Sequence, residues 1–165
     1  MHRALLAFDE AEREQDAALA QDPAFAGSLY ERAVLAARRI LARRPAALRI
    51  WYSRADPRGA KLAASLDELV AADPVLAAER ARFVDLLARL RHALPAAPGS
   101  LPPAQVLCVE GLGEACAGGS GARARERLEE ALRLLPRLEE AYEGLWEIAE
   151  AEADDVRIVE GNLYF

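Results

Sequence analysis

The chain has 165 residues, of which 53% are hydrophobic and 29% charged. Its length suits a single domain with a buried core, and its composition excludes an intrinsically disordered protein. It contains no apolar run of the ~18 residues that a transmembrane helix needs, and its N-terminus lacks a signal-peptide pattern. We therefore expect a cytoplasmic protein that does not contact membranes.

Charge is distributed unevenly along this chain, whose formal net charge is −6. Residues 1–100 carry 15 basic and 13 acidic side chains, whereas residues 101–165 carry 6 basic and 14 acidic ones. The first stretch is slightly basic and the second strongly acidic, which indicates two surfaces of opposite potential. Because the whole chain is acidic, it is a poor candidate for non-specific binding of nucleic acid.

Residues 1–94 are predicted to form an N-terminal helical region. Its first helix covers residues 3–20 and ends at Asp22-Pro23, because the residue before a proline is disfavoured in a helix. Its second helix opens at Ser28-Leu29-Tyr30-Glu31, a capping box, and stops at Pro45, which cannot donate a backbone hydrogen bond. The first helix has an apolar patch at Leu5, Leu6 and Phe8, and the second an apolar stripe at Tyr30, Ala33, Val34, Ala37, Ile40 and Leu41.

The segment 46–55 is ambiguous in sequence. Its aromatic and β-branched residues favour a strand, but both flanks are helical and no partner strand is visible. We expect a short helix, with an extended segment as the alternative. Asp56-Pro57 and Asp73-Pro74 then start two helices, which run to about Ala72 and Ala93. Their apolar residues are Leu62, Leu66, Leu69 and Val70 in the first, and Leu76, Phe83, Leu86, Leu87, Leu90 and Leu94 in the second.

Residues 95–103, with the sequence PAAPGSLPP, form a proline-rich linker. A second helical region, residues 104–153, follows with predicted helices at 104–117, 122–135 and 137–153. Residues 154–165 are a tail without a helix signal. The linker either joins two subdomains or connects two helices of one compact unit, and we favour the compact unit.

The second helical region resembles the tetratricopeptide repeat over residues 105–150. In that family, units of about 34 residues consist of two antiparallel helices with small and large residues at fixed positions. The matching residues are Leu112, Gly113 and Cys116, then Ala124, Leu128, Ala131 and Pro136, then Tyr142 and Leu145. The match is incomplete, because Trp146 replaces a small residue and Cys116 an aromatic one. The resemblance implies an all-α fold of antiparallel helix pairs stacked as a short array with a concave binding surface; an irregular helical bundle is the alternative.

Candidate catalytic and metal-binding residues are few. His2 and His92 are the only histidines, and neither has another His or Cys at the spacing of metal ligands. Cys108 and Cys116 lie ~12 Å apart along one predicted helix, which is too far for a disulfide. No general base adjoins them, so we expect two buried thiols. The glycines at 111, 113 and 118–121 lack the preceding strand of a phosphate loop. We expect neither an enzyme, nor a metal site, nor a cofactor.

Glutamates dominate one predicted face of the second helical region. In the repeat register, the concave surface carries Glu110, Glu114, Glu140, Glu143, Glu147 and Glu150. Like charges three and four residues apart on a helix repel by a few tenths of a kcal/mol per pair, so such a row is easier to explain if a cation binds it. We predict a groove for a basic peptide or helix from another protein or from a second copy of this chain. A solvated face is the alternative.

An arginine-rich segment is the other candidate surface. It contains Arg38, Arg39, Arg43, Arg44, Arg49, Arg54 and Arg58, with Asp56 as the only acidic residue among them. Such a segment is a solvated face, or it binds an acidic partner or nucleic-acid phosphates. The sequence therefore predicts a non-enzymatic protein-interaction module, such as an adaptor, chaperone-like protein or assembly factor. A nucleic-acid-associated regulator is the alternative function.

Overall fold

The structure, a computed structural model, describes residues 2–54, 65–149 and 152. These residues form seven helices and no strand, which confirms the all-α prediction. The helices are α1 (His2–Gln21), α2 (Ala26–Arg54), α3 (Leu66–Ala72), α4 (Pro74–Ala96), α5 (Pro103–Cys116), α6 (Gly121–Leu134) and α7 (139–149). The side chains of residues 2–8 and 52–54 lie outside the described residues. The same holds for Asp56-Pro57, Arg58, Glu150 and the tail 154–165, and thus for the predictions made there.

Helix α2 is the central element, and its start differs from the prediction. It begins at Ala26, two residues before the expected capping box, so Ser28 is a buried residue of its first turn. The preceding turn is closed by Asp22, whose carboxylate accepts a hydrogen bond of 3.1 Å from the backbone of Ala24. The prediction of a capping box at Ser28 is therefore wrong, because the turn from Asp22 to Phe25 allows α2 to begin before Ser28.

The end of α2 also differs from the prediction, because the helix continues through Pro45 to Arg54. Leu41 before the proline and Ala47 after it are both buried. A proline inside a helix loses one backbone hydrogen bond, but burial of apolar surface on both sides offsets that cost. The expected stop at Pro45 is wrong. Within the ambiguous segment, the described residues 46–54 are helical as we expected.

The next two helices, α3 and α4, each begin at a side-chain cap, a serine for α3 and an aspartate for α4. Ser65 is the N-cap of α3, and it forms a capping box with Glu68. The serine hydroxyl accepts a hydrogen bond from the backbone N–H of Glu68, and the carboxylate of Glu68 accepts one from the backbone N–H of Ser65. The prediction of one helix from Asp56 to Ala72 is therefore wrong, because Ser65 has an extended backbone. Asp73 caps α4 as predicted, accepting a hydrogen bond of 3.0 Å from Val75, with Pro74 as the first helical residue.

The helices pack in pairs around a continuous hydrophobic core. The most extensive pairs are α5 with α6 and α2 with α4, while α1 lies on α2, and α5 contacts both α2 and α4. Helix α4 extends into the proline-rich segment as far as Ala96, and Leu101 from that segment is buried. Residues of both helical regions therefore contribute to the core. None of the described helices is long and apolar enough to cross a membrane.

The α5–α6 pair is close-packed at Gly111. A Cβ atom at this position would lie 2.9 Å from Cγ of Leu128 and 3.1 Å from the carbonyl oxygen of Ala124. Small residues at such a crossing let two helices approach. The residues predicted to build this pair are buried, as expected: Leu112, Gly113, Cys116, Ala124, Leu128 and Ala131.

Helix α7 is oriented differently from the repeat register. Its buried face consists of Ala141, Gly144 and Ile148, with Leu145 partly buried against the core. Tyr142, which we expected inside the stack, is 54% exposed. This prediction is wrong because Ala141, and not its neighbour Tyr142, faces the core; adjacent residues on a helix point about 100° apart.

Candidate functional site

One residue of the predicted acidic face, Glu143 on α7, contacts α2. Arg38 on α2 donates from Nε to Oε2 of Glu143 on α7 over 2.5 Å. Tyr30 on α2 is fully buried, and its hydroxyl lies near the thiol of Cys108 on α5 without a well-formed hydrogen bond. At Glu143, an arginine of this chain's own α2 therefore takes the place in which we expected a basic residue of a partner.

The glutamates of α5 also bind arginines of the same chain. Arg91 on α4 donates two hydrogen bonds to Glu110, of 2.8 and 2.5 Å. These bonds lower the pKa of Glu110 against the opposing effect of burial. Glu114 accepts a hydrogen bond of 3.2 Å from the backbone of Ser120 and lies 3.4 Å from Arg123. Both carboxylates fasten α5 to neighbouring elements.

Two further predicted glutamates, Glu140 and Glu147, lie on α7. Burial raises the pKa of Glu31 on α2, the charge of Glu140 raises it further, and Arg38 opposes both effects. Glu140 on α7 is therefore close enough to α2 for its charge to raise the pKa of Glu31. Glu147 is half-buried and has an interaction partner of its own. The five predicted glutamates that the structure describes thus do not form one open row, because α5 and α7 turn their glutamates to different neighbours.

Three arginines of the arginine-rich segment bind carboxylates within the fold. Arg39 lies 2.8 Å from Glu12 on α1 and 3.8 Å from Glu79 on α4. Arg43 donates a hydrogen bond of 2.7 Å to the buried carboxylate of Asp73, which lowers the pKa of that carboxyl. With Arg38 bound to Glu143, three of the five arginines whose side chains are described have a carboxylate partner. Arg44 is half-buried and Arg49 exposed, while the side chains of Arg54 and Arg58 lie outside the described residues.

A cavity of about 320 Å³ lies where α2, α3 and α7 approach the α5–α6 turn. Its charged lining residues include Arg44, Asp67, Glu114 and Glu152. Asp67 lies 2.6 Å from Arg80, and Glu152 lies 2.6 Å from Arg125. Two of the carboxylates in the cavity wall are thus already bound in ion pairs that join helices.

The two thiols are buried and un-ionised, and the described residues offer no grouped metal ligands. Cys108 and Cys116 are free and buried, as predicted. Burial raises the pKa of each thiol to about 12, so neither is ionised at neutral pH. Among the described residues, no three His, Cys, Asp or Glu side chains are grouped so as to hold a metal ion. His92 is exposed near the end of α4.

An exposed surface that the sequence did not reveal lies on α7. Its members, Glu139, Tyr142, Glu143 and Trp146, are three and four residues apart and form one helix face, here called the α7 outer face. Tyr142 is 54% and Trp146 67% exposed. The available sequence signal was Trp146 itself, because a tryptophan stands where the resembled repeat needs a small residue.

The α7 outer face continues toward the preceding turn. The hydroxyl of Tyr142 donates a hydrogen bond of 3.2 Å to the carbonyl oxygen of Pro136. Leu134 and Leu135, just before this proline, are also exposed. The bond fixes the tyrosine ring beside the α6–α7 turn, next to these two leucines in the chain, and Trp146 follows one turn further along α7.

No family model, no curated protein and no solved structure matches this chain. The chemistry of its own surfaces is therefore the basis for a functional conclusion.

Proposed function

We propose that this protein is a non-enzymatic helical interaction module, an adaptor or assembly factor, that binds a basic amphipathic helix of a partner protein on the α7 outer face. One observation carries the proposal. Tyr142 and Trp146 are both more than half exposed one turn apart, and Glu139 and Glu143 flank them. Aromatic residues combined with carboxylates suit a partner that is both apolar and cationic.

The exposure of the aromatic pair favours a binding role. Solvated aromatic surface forgoes roughly 25 cal/mol per Å² that burial would gain. Tryptophan and tyrosine are enriched among the residues that dominate binding energy at protein interfaces. Leu134 and Leu135 add two exposed apolar side chains just before Pro136, to which Tyr142 is hydrogen-bonded.

The charge around the pair favours a basic partner. Glu139 and Glu143 are exposed beside the rings, and residues 101–165 have eight more acidic than basic side chains. An arginine or lysine is attracted both by a carboxylate and by the face of an aromatic ring. The surrounding negative potential also accelerates the encounter with a cationic segment.

The geometry of α7 favours a helix as the bound element. The resembled repeat buries each helix pair by stacking the next pair on it, and in the described residues no further helix covers Tyr142 and Trp146. Anchors four residues apart on one helix are typical of helix-to-helix recognition.

The proposal changes the acidic set that the sequence suggested. Glu143 remains a binding residue, because its side chain is 49% exposed beside its bond to Arg38. Glu139 joins it. Glu110 and Glu114 are given a structural role, because each already binds groups of the same chain.

Affinity capture from extracts of the native cell tests this function. The tagged full chain should retain a basic protein, and Trp146→Ala should reduce its recovery about tenfold, since an interface anchor contributes 1–2 kcal/mol or more, on the order of a tenfold change. Val84→Ala is the matched control, because Val84 is an exposed apolar residue on α4. Equal recovery of every retained protein by the two variants would refute the proposal.

Nucleic-acid binding is less well supported by the geometry. Phosphates would have to displace carboxylates from Arg38, Arg39 and Arg43, whereas Arg49 is exposed. A gel shift with mixed DNA and RNA at low salt separates the two functions. A shift that Arg49→Glu abolishes and Trp146→Ala leaves unchanged would favour nucleic acid.

A further inference from the structure

Helix α1 is held on α2 through charged contacts. Glu12 lies between two arginines of α2: it forms an ion pair with Arg32 and accepts a hydrogen bond of 2.8 Å from Arg39. Asp16 lies 3.0 Å from Nε of Arg32, and Asp9 lies 3.7 Å from Arg39. The three acidic residues are spaced three and four apart, so they form one acidic face of α1 that meets the basic face of α2.

The described side chains of α1 contribute little apolar packing. From residue 9 to residue 21 none is buried, and Leu19 is the large apolar side chain among them that packs partly against the core. Every other helix with a fully described sequence, α3 through α6, has at least one fully or nearly fully buried apolar side chain. Within residues 9–21, α1 is therefore held on α2 mainly by ion pairs and not by buried apolar side chains.

The surface of α2 that faces α1 has its own chemistry. Arg32, Leu35 and Arg39 follow one another at spacings of three and four, on one face of α2. Leu35 is only 6% exposed yet lies outside the main core cluster. Nε and Nη1 of Arg32 are buried and near carboxylates, but they form no well-aligned hydrogen bond. The cationic groups are thus attracted to α1 without being locked to one geometry.

We propose that this Arg32–Leu35–Arg39 face is a second interaction surface, that it binds an acidic amphipathic helix of a partner protein, and that α1 is its occupant within the free chain. Charge complementarity identifies the partner: α1 itself shows that carboxylates at spacings of three and four fit the two arginines. A helical segment that is held mainly by ion pairs to one neighbour opens locally without unfolding the rest of a protein. An acidic helix from another protein can then take its place.

Hydrogen exchange of the full chain tests whether α1 opens locally. We expect amides of residues 9–21 to exchange at least about tenfold faster than core amides of α2 and α4. Raising the salt from about 0.05 M to about 0.5 M should widen that ratio several-fold, because salt screens the ion pairs. Exchange of α1 at the rate of the core at both salt concentrations would overturn the proposal.

A peptide with the sequence of residues 1–21 serves as the acidic helix for the binding test. It should bind weakly to the unmodified chain, where the tethered α1 competes at high effective concentration. It should bind at least about tenfold more tightly to a chain with Glu12→Arg and Asp16→Arg, whose own α1 is repelled. Adding Arg32→Glu and Arg39→Glu to that chain should abolish peptide binding.

Equal peptide affinity for the unmodified and the Glu12→Arg, Asp16→Arg chains, with α1 loosened by hydrogen exchange, would also overturn the proposal. If the altered chain fails to fold by circular dichroism, the salt dependence of exchange in the unmodified chain decides. Trp146→Ala should leave peptide binding unchanged. The test is thereby separate from that of the α7 outer face.

Discussion

Arg38 and Glu143 join α2 to α7 across 105 residues of sequence by a hydrogen bond of 2.5 Å. The bond explains how α7 tolerates neighbouring glutamates, because an arginine of the same chain meets one of them. It also places the second helical region against the first. The acidic row and the arginine-rich segment look like separate surfaces in sequence, but Arg38 and Glu143 bring one residue of each into an internal contact.

Exchanging the two charges should preserve this contact. We expect Glu143→Arg alone to lower the free energy of unfolding by about 0.5–1 kcal/mol, since both groups are partly exposed and screened by solvent. Adding Arg38→Glu should restore most of the loss. Denaturant unfolding of the two single variants and the double variant measures the coupling. Strictly additive losses would show that the two side chains do not interact.

The carboxylate of Asp73 should make stability depend on acid pH. The hydrogen bond from Arg43 lowers its pKa in the folded state, and the backbone N–H of Val75 acts in the same direction. A lowered folded-state pKa stabilises the fold above the unfolded-state value, about 3.9 for aspartate, and this contribution is lost as the pH falls through the folded-state pKa.

Asp73→Ala should therefore destabilise the chain at neutral pH by about 1–2 kcal/mol, a typical value for loss of an N-cap. The difference from the unmodified chain should shrink below about pH 4 as Asp73 takes up its proton. Asp85→Ala, at an exposed position of α4, is the control with little expected effect. A pH-independent difference for Asp73→Ala would contradict the charged role.

Gly111 should resist substitution, whereas Gly121 should not. The Cβ of Gly111→Ala would lie 3.1 Å from a backbone oxygen and 2.9 Å from Leu128, so overpacking should cost about 1–2 kcal/mol despite the better helix propensity of alanine. Gly121 has open space around its Cβ position, and Gly121→Ala should gain up to about 1 kcal/mol. Thermal unfolding of both variants measures the contrast, and equal effects would contradict the close α5–α6 approach.

Pro45→Ala should stabilise the chain. The proline lies inside the continuous helix α2, where it removes the hydrogen bond to the carbonyl of Leu41. Restoring an N–H donor should raise the free energy of unfolding by about 1–3 kcal/mol. Ala42→Gly, one turn earlier at an exposed position, should lower it by about 1 kcal/mol. Loss of stability in Pro45→Ala would instead indicate that α2 ends at the proline.

Local chemistry made several elements predictable from sequence. Asp73-Pro74 starts α4 because an aspartate cap and a first-turn proline need only their own neighbours. The buried leucines of α4 follow from their spacing alone. Pro45 shows the limit: whether a helix continues through a proline depends on what packs on either side, and that is decided by distant residues.

The candidate site was harder to predict for two physical reasons. Ion-pair partners such as Arg38 and Glu143 are far apart in sequence, so a row of glutamates gives no sign that it is already neutralised. The exposure of Tyr142 depends on the rotation of α7 about its own axis. A rotation by one residue, about 100°, would turn Tyr142 toward the core in place of Ala141. Trp146 departs from the small residue of the resembled repeat, which the sequence shows. Whether its side chain is buried or exposed depends on the same rotation of α7, which the sequence does not show.

Binding of a defined basic helix to the α7 outer face tests the proposed function most directly. The probe is a synthetic amphipathic peptide with leucines on one face and arginines beside them, titrated into the full chain at about 0.1 M salt. We expect Trp146→Ala and Glu139→Lys each to weaken binding about tenfold, and Val84→Ala to leave it unchanged. The same affinity for all four proteins would contradict the proposed binding surface.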